Sequence, residues 1–108
     1  MTLPKENRLA EKSDFNKVFK EGKAVKGSFL FIKAKKAPEK ARFGFIIPKK
    51  VSPKASSRNR LKRALSETVR NYINNNSQFS QDVIIWVNKK DHEDTLQSEL
   101  TRLLELIK

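Results

Sequence analysis

Apolar residues along the chain fall into short runs with different periods. Phe15, Val18 and Phe19 recur at i, i+3 and i+4, the spacing of one helix face. Ser13 predicts an N-cap for that helix, Asp14 sits in its first turn, and Gly22 predicts a left-handed stop. Ser28 to Lys36 reads as a strand. Phe29 and Phe31 fall on one face and Leu30 and Ile32 on the other, so both faces are apolar and an inner strand is expected. Residues 24–27 are a candidate short strand before it, and Ala37-Pro38-Glu39-Lys40 a turn after it. From Arg42, the residues Phe43, Phe45 and Ile47 alternate, and Pro48 ends the strand because it has no N–H to donate.

The period then becomes helical. From Arg58 to Asn74, Leu61, Leu65, Thr68, Val69 and Tyr72 share an arc of roughly 100°. Ser56 or Ser57 is the expected cap. Asp82 to Val87 is a near-continuous apolar run of strand length, which predicts a strand covered on both faces with Trp86 in the core. Asp91 is the expected N-cap of a closing helix carrying Leu96, Leu100, Leu103, Leu104 and Ile107. The order is helix, two or three strands, helix, strand, helix. The strand-helix-strand unit over 42–87 makes the last strand parallel to its partner. This predicts an α+β fold: one small domain over residues 1–108, with helices packed on a mixed sheet and residues 1–11 as a basic N-terminal arm.

Composition adds a partner class. The chain has 108 residues, 24 Lys and Arg, 12 Asp and Glu, and a formal net charge of +12. Its apolar runs are far shorter than the roughly 20 residues of a membrane span. Met1 to Ala10 has no apolar core, so a signal peptide is not expected. The absence of Cys excludes disulfides and thiolate metal sites, and the expected compartment is the cytoplasm. Residues 1–63 carry 19 basic and 5 acidic side chains, and residues 64–108 carry 5 and 7. A surface built only for solubility does not need that asymmetry, whereas a polyanion-binding face does.

The sharpest feature is Arg58-Asn59-Arg60-Leu61-Lys62-Arg63, preceded by Lys49, Lys50 and Lys54. Residues 49–63 contain seven basic side chains and no acidic one. The cluster opens a helix, where positive charge opposes the helix dipole. Phosphates offset that cost, because helix-terminal N–H groups and guanidinium forks both bind them. Asn59 adds a neutral donor and acceptor. Phe15 and Phe19 fit two roles: core residues, or the wall of a groove in which unpaired bases stack beside Lys12, Lys17, Lys20, Lys33 and Arg42. A protein-borne catalytic centre is not expected. His92 is the only histidine, lies between acidic neighbours, and is far in sequence from the basic cluster. No nucleophile motif, phosphate-binding glycine loop or carboxylate cluster is present.

These residues together resemble the bacterial ribonuclease P protein family. The resemblance rests on Arg58 to Arg63 after Lys49-Lys50-Val51, on Asn7-Arg8-Leu9 followed by Phe15, Val18, Phe19 and Gly22, on Arg42-Phe43-Gly44, and on Asp82 to Ile85 before a Leu-rich helix. It implies an α-β-β-β-α-β-α order with a left-handed crossover around the second helix. It also implies a subunit of an endoribonuclease that removes the 5′ leader of precursor tRNA. In that assembly a catalytic RNA performs the hydrolysis and holds most of the Mg²⁺, and no catalytic or metal-binding residue is expected on the protein. Lys49, Lys50, Lys54, Arg58, Asn59, Arg60, Lys62 and Arg63 are then expected on the catalytic RNA. Phe15, Phe19, Leu30, Ile32 and Arg42 are expected to line the leader cleft. The family often has an aromatic residue where Ile32 stands and a basic one where Ser66 stands. A ribosomal or general RNA-binding protein without cleavage activity is the competing expectation. A DNA-binding protein is disfavoured because no duplex-reading module is visible, and no membrane partner is expected.

Overall fold

The computed structural model describes residues 3–9, 11–37 and 40–108. The expected turn at 37–40 and the arm at 1–11 lie partly outside those residues. Helix α1 spans Lys12–Glu21, α2 spans Ala55–Asn75 and α3 spans Glu93–Ile107. Strands β1 (Lys23–Lys26), β2 (Leu30–Lys36), β3 (Arg42–Ile46) and β4 (Gln81–Val87) form one sheet in the order β1-β2-β4-β3. A 3₁₀ turn over Lys5–Asn7 precedes α1. The β1/β2 and β2/β4 pairs are antiparallel, and β3/β4 is parallel. The inner position of β2 and the parallel β3-α2-β4 unit agree with the expectations from periodicity.

The helix starts differ from the expected caps. Both Asp14 and Phe15 donate N–H to the Glu11 carbonyl, so Glu11 is the cap of α1 and Ser13 lies inside its first turn. Helix α2 begins at Ala55, ahead of the expected serine caps, with Lys54 at the N-cap and no side-chain cap bond. Asp91 is not the cap of α3: His92 holds the N-cap position without a side-chain cap bond, and its own N–H bonds the Asp91 carboxylate at 2.7 Å. Gly22 has extended backbone rather than a left-handed one. Its need is close approach, because a Cβ there would sit 2.5 Å from the Val18 carbonyl oxygen and 3.0 Å from that of Ala34.

Side-chain alternation splits the sheet into two faces. Helices α2 and α3 cover the first, burying Leu30, Ile32, Phe43, Val83, Ile85 and Val87 against Leu65, Val69, Leu100 and Leu104. Helix α1 crosses the second, burying Val18 and Ile84 with Leu9. Ile84 and Ile85 are both fully buried, so β4 is covered on both faces as its sequence predicts. Glu99 of α3 ties the helices to the sheet. Its buried carboxylate accepts the N–H groups of Phe29 and Leu30 at 2.8 and 2.7 Å.

Candidate RNA-binding face

Helix α2 carries the basic cluster on three flanks rather than one. Arg60 and Lys62 lie about 160° apart around the helix. Arg60 turns toward α3 and pairs with Glu93 at 3.3 Å. Lys62 turns toward β3, and Asn59 and Arg63 are exposed between them. Arg58 acts on its own loop, where its Nη1 donates to the carbonyls of Ser52 and Pro53 at 2.9 and 2.8 Å. That folds the loop back on the helix start, while the N–H groups of the first turn have no side-chain cap. Lys49, Lys50 and Lys54 are exposed in the same loop. The first turn of α2 contains no acidic residue, so its unpaired N–H groups and its cations present one sign of charge.

Residues 91–93 are far in sequence from the basic cluster but not in space. Parallel β3 and β4 end side by side, so the loop after β4 meets the loop before α2. A crevice of about 330 Å³ between them is lined by Arg60, Lys90, Asp91, His92 and Glu93. His92 is exposed there.

The aromatic face lies under α1. Phe15 rests on Gly44, where a Cβ would collide with its ring. Phe19 meets Trp86 edge to face at 6.1 Å between centroids. Lys33 donates to the Phe19 carbonyl near the end of α1 and lies 5.8 Å from that ring's centroid. Phe15 and Phe19 are half-buried, so each serves the small second core and also keeps an open edge. A groove of about 360 Å³ joins Phe15 and the β3 edge at Phe45 to Arg8, Lys62 and Ser66. It brings the aromatic stripe and the basic helix together. Ser66 is buried in its wall, so the position that often carries a cation in the family is here a recess.

Three sequence expectations need correction. Leu30 and Ile32 do not lie with Phe15 and Phe19. Both are fully buried beneath α2 and α3, because the β2/β4 register turns them to the opposite face. Their neighbours Phe31 and Lys33 face α1 instead. Arg42 is on the α1 face, but its guanidinium is engaged: Nε and Nη2 bond the Asp82 carboxylate at 2.9 and 2.8 Å, and Nη1 bonds Asp14 at 3.2 Å. The Asp82 hydrogen bonds, aided by both carboxylates' charges, raise the Arg42 pKa further above its ordinary value. Arg42 therefore fastens α1 to the sheet. Trp86 is half-buried on the α1 face rather than in the core.

The fold and this face define a small α+β protein with one polyanion-complementary end. Residues 3–108 match the family described as Ribonuclease P, and the chain belongs to that family. It is 41% identical over 78 residues to the ribonuclease P protein component of Microcystis aeruginosa, a match covering 68% of this chain and 65% of that relative. The match to the component of Vesicomyosocius okutanii is 31% over 107 residues, covering 97% and 94%. The chain spans less than two thirds of the Microcystis relative and 60% of the Synechocystis one. The ribonuclease P protein of Thermotoga maritima superposes with a TM-score of 0.74 at 27% identity, over 94% of this chain and 97% of that one. A mutant ribonuclease P protein of Staphylococcus aureus shares the fold, with a TM-score of 0.78 at 22% identity over 95% and 89%.

Proposed function

We propose that this chain is the protein subunit of ribonuclease P, binding a catalytic RNA and the single-stranded leader of precursor tRNA in the cytoplasm. The observation that carries this reading is the groove shared by Phe15 and Lys62 in a chain whose family membership spans residues 3–108. Lys49, Lys50, Lys54, Asn59 and Arg63, with Arg60 beside them on Glu93, present a predominantly basic surface to the catalytic RNA, while Arg58 holds the loop that displays it. Phe15, Phe19, Lys33 and Lys62 line the leader path.

Hydrolysis is assigned to the RNA and its Mg²⁺. Among the described residues no group of three His, Asp or Glu side chains could hold a metal ion. The protein supplies charge neutralisation and a stacking surface. Both favour the substrate with a leader over the product without one. The test is equilibrium binding of precursor and mature tRNA to the assembled complex. Precursor binds more tightly on this reading, and Phe15→Ala removes most of the difference. Equal affinities would favour a general RNA-binding protein.

A further inference from the structure

One complete cross-strand row on the α1 face is only partly covered by the helix, through Phe19 on Trp86 and the packing of Ile46 against the cluster beneath α1. Lys26 pairs with Phe31, Phe31 with Trp86, and Trp86 with Ile46. All four side chains share a face, because Ile84 and Ile46 fix the side that α1 occupies and alternation fixes the rest. The next row, Ala24, Lys33, Ile84 and Gly44, lies beneath Phe15, Val18 and Phe19. Phe31, Trp86 and Ile46 are half-buried and Lys26 is exposed. Two aromatic rings and an isoleucine thus form a floor two strand spacings, or about 10 Å, across. Phe19 stands over it as a wall.

The rim of this floor is cationic. Strands β3 and β4 are parallel and end at this row, so Lys49 and Lys50 follow Ile46 closely, and Lys89 and Lys90 follow Trp86. With Lys26, five exposed lysines surround one end of the sheet. The acidic residues of this region, Asp91 and Glu93, lie past the rim toward α3, where Glu93 faces Arg60. An apolar protein partner has no use for such a rim. Unpaired RNA does: bases stack on aromatic faces while lysines hold the phosphates.

We infer that Trp86 and Phe31 form a base-stacking platform for the leader, and that Trp86 makes this protein prefer purines at the leader position seated there. The inference rests on the proposed function and names a specificity-determining residue within it. Stacking affinity grows with the area of the base, and the wide indole offers more of it than an aliphatic side chain. Trp86 is also the only tryptophan in the chain, so its own fluorescence reports on the platform.

The test uses the full chain assembled with a bacterial catalytic RNA and precursor tRNAs carrying all-purine or all-pyrimidine leaders. The unmodified complex binds the purine leader more tightly, and Trp86 fluorescence is quenched on binding. Trp86→Ile, which puts a strand-favouring β-branched residue in its place, weakens purine-leader binding about tenfold. It brings the two leaders to similar affinity and leaves mature tRNA binding unchanged. Trp86→Phe restores part of the preference, which a merely structural role would not produce. A Trp86→Ile complex that keeps the full purine preference overturns the platform while leaving the leader cleft intact. An unmodified complex that binds precursor and mature tRNA equally overturns the platform together with the reading it rests on.

Discussion

At the scale of single residues, contiguity decides what a sequence discloses. Arg58 to Arg63 are neighbours, so their charge and their place at a helix start are visible by inspection. Gly44 is different: its value comes from Phe15, brought onto it by α1. A side chain at 44 must displace that ring, and overpacking of this kind costs about 1–3 kcal/mol. Gly44→Val is therefore expected to destabilise the protein by that amount in urea titrations and to weaken precursor binding. A wild-type urea midpoint would show that Phe15 does not need that floor. Arg42 is equally opaque, since its partners Asp14 and Asp82 stand 28 and 40 residues away. Read locally, it is one more cation in a basic chain; in the fold it is a clamp. Leu30 and Ile32 show a third kind of opacity. Alternation separates them from Phe31 and Lys33, but a strand apolar on both faces does not say which face α1 will cover.

At the scale of elements, the apolar periods identified the three α-helices and strands β2, β3 and β4, with β1 only a candidate, while their ends moved by one turn or less. The shifts have local causes: Arg58 folding onto Ser52 and Pro53 for α2, and the Glu11 carbonyl collecting two N–H groups for α1. Helix α1 is attached by a small core and the Arg42 clamp, so its hold is separable from that of α2 and α3. Arg42→Gln is expected to destabilise the protein by about 2 kcal/mol, the scale of hydrogen bonds to charged groups. Amide exchange should accelerate in residues 15–21 first, with α2 and α3 protection preserved. Uniform acceleration would contradict a local clamp. Helix α2 has the opposite design, with a start left electrostatically unfavourable in the free protein. Ala55→Glu adds an acidic residue to its first turn. This should stabilise the free protein by about 0.3–1 kcal/mol and weaken binding of the catalytic RNA. Calorimetry and a titration with that RNA check the two halves, and tighter RNA binding would refute the trade.

At the scale of the whole molecule, the sheet order β1-β2-β4-β3 turns a charge imbalance along the chain into one in space. It sets the ends of β3 and β4 together and places Lys49, Lys50, Lys89 and Lys90 around the start of α2 and the edge of the aromatic face. The imbalance itself was legible from composition. Its joining to Phe15 and Trp86 was not, because strand order and register are long-range properties. On the proposed function, the division of labour is a protein that binds and positions while an RNA cleaves. The most direct measurement is cleavage of precursor tRNA at low Mg²⁺ by the protein alone, by the catalytic RNA alone, and by the two together. This account predicts no cleavage by the protein, slow cleavage by the RNA, and a large acceleration on mixing that is lost with the Arg60→Ala, Arg63→Ala double variant. Cleavage by the protein alone, or no gain on mixing, would contradict it.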